Sequence, residues 1–305
     1  MDKLIKGLMA DSMMNFFAID APCLVEQARV THNTSPVCTA ALGRALMGAS
    51  IMGAMLKVPD AEVSLIFKGG GPAGNIVCVG RQDGSVKGLI GNPAVDLPPM
   101  ENGKLPVGAA VGKEGTLTVI TDLRLKEPYI GQSALLSGEI AEDIASYFAN
   151  SQQQPTAVFL GVHMNSEGVT SACGLMVQAM PGCPDDVLET VEKRMYAAQE
   201  MPALIYEAGM SLERIIDWLF SDLSPQIMDT LQPRLVCDCD RERLERAMVG
   251  LGEEELRRMA REQKGASIIC HFCNTEYNFT EEELTALASV ARAAQTERKD
   301  AHDQD

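Results

Sequence analysis

Short apolar stretches bounded by turn residues recur through the first part of the chain. Residues 63–67, 76–79, 117–120, 157–163 and 174–177 carry the β-branched, apolar pattern of strands. Asp83-Gly84, Asn102-Gly103 and Lys113-Glu114-Gly115 supply turn signals between many of them. Two stretches shift to a helical period: 40–56, and 134–148, where Ile140, Ile144 and Phe148 share one face. This mixture predicts an α+β fold, with an N-terminal mixed α/β core domain over residues 1–180.

The strand signals stop between residues 181 and 233. Pro184 opens a helical stretch with Val187, Val191 and Met195 on one side, and Gly209 interrupts it. Ser211 suits an N-cap for a second helix carrying Leu212, Ile215, Ile216 and Leu219. Met195, Met201, Met210, Met228 and the single tryptophan, Trp218, lie in the same segment. Short helices are marginal in water, so this helical linker must cover its apolar faces against a neighbour.

A compact, charged segment follows over 234–297. Asp240 is placed to cap a helix ending near Gly250, and Glu253–Gln263 reads as another. Thr280 and Glu283 form a capping box for a last helix, and a polar, disordered tail is predicted over 298–305.

The chain of 305 residues has 46% hydrophobic residues and a formal charge of −16. That length and composition support two globular domains. The acidic balance disfavours nucleic acid as a partner. Asp2 and Asp11 interrupt the N-terminal stretch, which lacks the features of a signal peptide. The apolar window 37–56 contains Arg44 and many small residues, which fits a buried helix better than a membrane span. Nine cysteines without an export signal point to the reducing cytoplasm, where close cysteine pairs bind metal or act in redox chemistry.

Two such pairs stand in the C-terminal segment: Cys237-x-Cys239 and Cys270-x-x-Cys273. Four cysteines so arranged are the usual form of a tetrahedral zinc site, and one zinc ion would staple a segment too small to build a large core. A purely structural site is one reading. The Cys-x-Cys pair favours redox work, because a sulfenic acid formed on one thiol has a second thiol at hand. Arg234, Arg241 and Arg243 are placed to favour thiolates, and His271 inside the second pair is expected to support the ligands or stay exposed.

These residues resemble the zinc domain of the Hsp33 redox-regulated chaperones. The similarity lies in the run from Val236 to Arg243, in Leu251-Gly252-Glu253-Glu254-Glu255-Leu256, and in Cys270-His271-Phe272-Cys273-Asn274 with Tyr277. It extends to Phe67-Lys68-Gly69-Gly70-Gly71-Pro72-Ala73-Gly74, Asn92-Pro93-Ala94-Val95-Asp96-Leu97-Pro98, Gly103-Lys104-Leu105, Pro128-Tyr129-Ile130-Gly131 and the run from Ser137 to Asp143. Asp240 departs from the serine common in relatives, and either residue caps a helix. The resemblance implies a cytosolic, ATP-independent holdase rather than an enzyme. It implies an inactive reduced state holding zinc at Cys237, Cys239, Cys270 and Cys273. Oxidation would form Cys237–Cys239 and Cys270–Cys273 disulfides, release zinc, loosen the linker and give a homodimer that captures unfolding clients. No membrane or nucleic acid is involved on this reading.

Other features have plainer accounts. Gly69, Gly71 and Gly74 have dinucleotide-loop spacing, but a strand rather than a helix follows, so a hairpin is predicted. Cys23, Cys38, Cys78 and Cys173 read as small buried apolar residues, while Cys183 is the one to watch for exposure. His32 and His163 are read as structural, and Glu139, Glu142 and Asp143 as a solvated acidic face. Two rivals remain: a thiol–disulfide oxidoreductase using Cys270 and Cys273, and a zinc-ribbon nucleic-acid module.

Overall fold

The computed structural model describes residues 2–302, and side chains through residue 293. In chain order the elements begin with β1 (Lys3–Met9), β2 (Met14–Asp20), α1 (Pro22–His32), α2 (Pro36–Ala54), β3 (Glu62–Lys68), β4 (Ile76–Arg81) and β5 (Ser85–Ile90). They continue with α3 (Val107–Val111), β6 (Thr116–Asp122), β7 (Tyr129–Ala134), α4 (Ala141–Ser151), β8 (Thr156–Asn165) and β9 (Gly168–Ala179). Next come α5 (Asp185–Met195), α6 (Met201–Tyr206), α7 (Leu212–Phe220), β10 (Gln226–Leu231) and β11 (Arg234–Leu235). The last are α8 (Arg241–Val249), α9 (Glu253–Gln263), β12 (Gly265–Ile269), β13 (Glu276–Thr280) and α10 (Glu281–His302). Two compact units meet in sequence between Val236 and Cys237.

The first unit is built on two sheets, ordered β10-β1-β2-β9-β8 and β11-β5-β4-β3-β6-β7. Helix α2 packs against strands of both. Nearly all its side chains are buried, including Leu42, Leu46, Met47 and Ile51, so its membrane-like composition serves a core. Ser35 caps it through the amide of Cys38. Arg44 reaches from it to Glu139, at 2.6 Å. Strands β3 and β4 are antiparallel neighbours, which makes the glycine-rich segment a hairpin connection. A Cβ on Gly69 would lie 2.2 Å from the carbonyl oxygen of Gly112, so the close crossing there admits only glycine.

In the five-stranded sheet, β1, β2 and β9 are covered on both faces. Leu4, Phe17 and Ile19 face α1 and α2, whereas Ile5, Met9, Phe16, Leu175 and Val177 face α5–α7. Helix α7 buries Leu212, Ile215, Ile216, Leu219 and Phe220, and Ser211 caps it through the Arg214 amide. Helix α5 fully buries only Val191.

Several expectations need correction. Residues 181–233 are not wholly helical, because β10 pairs antiparallel with β1 at the sheet edge. Helix α4 starts at Ala141 rather than Ala134, since β7 runs to Ala134 and a loop occupies residues 135–140. Asp143 is not on a solvated face: it is fully buried and accepts hydrogen bonds from the amides of Leu136, Ser137, Gly138 and Ile140 at 2.7–3.3 Å. Those bonds hold a loop in which Ile140 takes a φ of 70°, a costly value for a β-branched residue. Cys23 is exposed on α1, whereas Cys38, Cys78 and Cys173 are buried as expected and Cys183 is half-buried.

The second unit has a small core of its own. Met248, Leu256, Phe279 and Leu284 pack with Ala260, Ala288 and Ala291 around the β12–β13 hairpin. Thr280 and Glu283 exchange the two hydrogen bonds of a capping box at the start of α10. Helix α10 runs on to His302, past the point near Glu297 where polar composition predicts order to end. The rest of that tail, 303–305, lies outside the described residues.

Candidate metal and redox centre

Cys237 and Cys239 occupy the extended segment just before α8. Asp240 ends that segment by accepting a hydrogen bond from the Arg243 amide at 2.6 Å, so the helix begins directly after the cysteine pair. Cys270 and Cys273 sit in the turn of the β12–β13 hairpin. The Cys270 carbonyl accepts from the amides of Cys273 and Asn274 at 3.3 and 2.7 Å, and Asn274 takes the left-handed φ of 57° that asparagine tolerates. The hairpin therefore folds its two thiols to one side of a tight knuckle.

The structure brings all four sequence-identified sulfurs together, with every Sγ within 4.8 Å of the others. The Cys237–Cys270 and Cys239–Cys273 sulfurs lie 3.7 and 3.2 Å apart. A tetrahedral ion bound to four sulfurs at about 2.3 Å requires S···S edges of about 3.8 Å. The cluster suits such an ion. All four cysteines are half-buried, while His271 is exposed and leaves coordination to the thiols.

Tyr277 and Thr275 were not singled out for this chemistry, and both touch the cluster. The Tyr277 hydroxyl donates to the Cys239 carbonyl at 3.2 Å and lies 3.3 Å from the Cys239 sulfur. The Thr275 hydroxyl is 3.2 Å from the Cys273 sulfur. A polar side chain two residues after the last cysteine is the only sequence signal that could have flagged Thr275.

Without a metal, the four thiols cannot all ionise at such distances. Burial pushes the Cys237 thiol well up, and burial also raises Cys239. Burial acts upward on Cys273 too, but hydrogen bonds from the Thr275 hydroxyl and amide, Cys239 and Cys270 outweigh it and bring the thiol to about 7. Tyr277 is pushed up to about 12, first by its hydrogen bond with Cys239.

The arginines do not supply that charge stabilisation, contrary to expectation. Arg243 pairs with Asp238 at 2.6 Å, and Arg241 pairs with Glu283 and Glu245 while lying over the Phe279 ring. Arg234, in the first unit, pairs with Asp83 at 3.2 Å. Each guanidinium is already neutralised by a carboxylate.

Residues 2–280 match the family model described as Hsp33 protein. This chain belongs to the Hsp33 family. The 33 kDa chaperonin of Alkaliphilus metalliredigens is 40% identical over 286 residues, covering 93% of this chain and 98% of that protein. The 33 kDa chaperonin of Clostridium perfringens is 41% identical over 313 residues, covering 100% of this chain and 97% of the relative. The crystal structure of the 33 kDa chaperonin from Thermotoga maritima superposes with a TM-score of 0.86 at 33% identity, covering 94% of this chain and 98% of that one. Hsp33 membership makes this a chaperone-family protein with a four-cysteine cluster compatible with metal binding and redox regulation.

Proposed function

We propose that this chain is a redox-activated, ATP-independent holdase of the cytoplasm. One observation carries the reading: four thiols are gathered within 4.8 Å at the tip of a unit whose own apolar core is small. Held by Cys237, Cys239, Cys270 and Cys273, zinc would contribute about 10–16 kcal/mol of folding free energy. The unit's fold is then conditional on the thiols staying reduced.

Peroxide supplies the oxidant. A thiolate attacks the O–O bond, giving a sulfenic acid and hydroxide; a second thiol displaces water to form the disulfide. Each disulfide consumes one peroxide. The pairing decides the consequence. Cys237–Cys239 and Cys270–Cys273 bonds close only local loops and leave the two knuckles unlinked. Crossed bonds, Cys237–Cys270 and Cys239–Cys273, would staple the knuckles together and preserve the unit. The resemblance implies the local pairing, which is the one that would couple oxidation to unfolding.

The linker, residues 181–233, is the conditional cover. Its helices shield Ile5, Met9, Phe16, Leu175 and Val177 of the first unit. Loss of structure beyond Val236 leaves β10 and β11 beside an unfolded chain, and these short elements loosen first. The exposed sheet face then binds unfolding proteins, and a second copy pairs with it as a homodimer. Cys270 and Cys273 lie in a hairpin turn rather than at a helix start, which removes the geometry a thioredoxin-like oxidoreductase needs.

The test is to oxidise the purified protein with hydrogen peroxide at raised temperature. Zinc release, disulfide mapping and light scattering of a heat-unfolding enzyme are then followed together. The reading expects zinc loss, local disulfides and suppressed scattering. Zinc loss with unchanged scattering would overturn it.

A further inference from the structure

Strand β10 is an unusual occupant of a sheet. Five of its six residues are exposed and only Leu231 is half-buried; Ile227 and Met228 are 43% and 64% exposed. Its attachment is made largely by backbone pairing. Leu4, Ile5 and Lys6 face Leu231, Thr230 and Asp229, but Gly7 and Leu8 face Ile227 and Gln226, so a bulge leaves Met228 without a partner. The Ala10 amide adds a bond to the Leu223 carbonyl at 2.7 Å, and Lys6 pairs with Asp229 at 3.3 Å across a solvent-exposed gap.

Its neighbour is the opposite case. In β1, Leu4 and Ile5 are fully buried and Met9 nearly so, and on its other side β1 holds an unbroken seven-residue register with β2. Losing β10 would leave β1 in place as a free, ordered edge. That edge borders the apolar face formed by Ile5, Met9 and Phe16, which α5–α7 cover. An ordered edge beside an apolar face is what an extended chain needs: main-chain partners plus pockets for alternate side chains.

We propose that β10 is a removable plug, and that activation opens the β1 edge to an extended segment of an unfolded client, which binds by antiparallel strand addition. This rests on the chaperone reading and specifies how a client is held. The occupant is argued from β10 itself, which shows that the edge accepts a strand whose side chains are hardly enclosed. Such an edge selects extended backbone rather than sequence. Unfolded chains share that property and folded ones lack it. Lys6 on β1, which pairs with Asp229 of β10, adds a preference for neutral or acidic segments.

The test uses the full chain and hydrogen exchange at the β1 amides that face β10. Three samples are compared: reduced, peroxide-oxidised, and oxidised with a heat-unfolded client enzyme at the same chain concentration. The expected pattern is slow exchange when reduced, at least tenfold faster exchange when oxidised, and recovery of slow exchange with client. A peptide of residues 225–232 in excess should displace client several-fold, and the same peptide with Asp229→Pro should not. Unchanged slow exchange on oxidation would overturn the proposal, because β10, from the same or a second copy, then still fills the edge. Fast exchange that persists while client is held would also overturn it, by placing the client elsewhere. Failure to suppress aggregation at all would instead sink the underlying chaperone reading.

Discussion

The first unit encloses Leu46, Phe67 and Tyr147 completely within a core that links both sheets and α2, whereas among its described residues the second fully buries only four large apolar side chains and three alanines. Their remaining stability comes from different sources. The first is held by apolar burial and a satisfied buried carboxylate. The second gathers four thiols that a metal can bind and an oxidant can convert. A two-part chain of this kind can lose one part and keep the other, and the proposed switch lies at the boundary at Val236.

Removing the metal should produce the largest effect. Chelation under reducing conditions, or Cys270→Ser, removes a contribution of about 10–16 kcal/mol from the second unit alone. Amide protection over 237–293 should collapse, and that over 181–236 should weaken with it, while α2, β2 and β9 keep theirs. Retention of that protection without metal would show that the small core suffices, and the contrast between the units would fall.

Asp143→Ala attacks the other side of the contrast. It leaves four buried amides without their acceptor, a loss of about 3–5 kcal/mol from the first unit. Thermal unfolding should fall by many degrees at unchanged metal content. A parallel fall in metal content would mean that the units are not independent.

Ile216→Ala probes the cover. Ile216 is 1% exposed in α7, so the change should cost about 2–5 kcal/mol, mostly from linker docking. The variant should hold clients after milder oxidation, as read by light scattering. A global loss of stability without easier activation would place α7 with the core instead.

The smallest effect concerns Asp20. Burial first, and then the neighbouring Asp2, raise its carboxyl from the ordinary 3.8 to about 6. The folded chain therefore binds this proton more tightly than the unfolded chain. Its stabilising contribution is complete below about pH 4 and is lost as pH rises through about 6. Asp20→Asn should melt higher than the parent at pH 7, with the gain vanishing near pH 3.5. A gain independent of pH would point to packing rather than charge.

What the sequence made legible follows from where each element lies. Strands β3, β4 and β6 alternate between buried and half-buried residues, so their period survives in the sequence. Capping residues marked α7, α8 and α10 because Ser211, Asp240 and Thr280 each bond to an amide in the first turn. Strands β1 and β2 were missed because both of their faces are covered, which erases alternation. Strand β10 was missed for the opposite reason: it is exposed on both faces and lies between Pro225 and Pro233. The four cysteines were legible because metal-ligand spacing is local. The role of Asp143 was not, since a loop's backbone amides form the partner and leave no residue pattern. The neutralised arginines were misread because ion pairing across a fold cannot be seen along the chain.

The most direct measurement is hydrogen exchange across the whole chain in the reduced, metal-bound state and after peroxide. The account expects protection to be lost over 237–293 and 181–236 together, while α2, β2 and β9 keep theirs. Loss confined to 237–293, in protein that nevertheless holds an unfolded client, would contradict it: the second unit would then be unfolding without uncovering anything on the first.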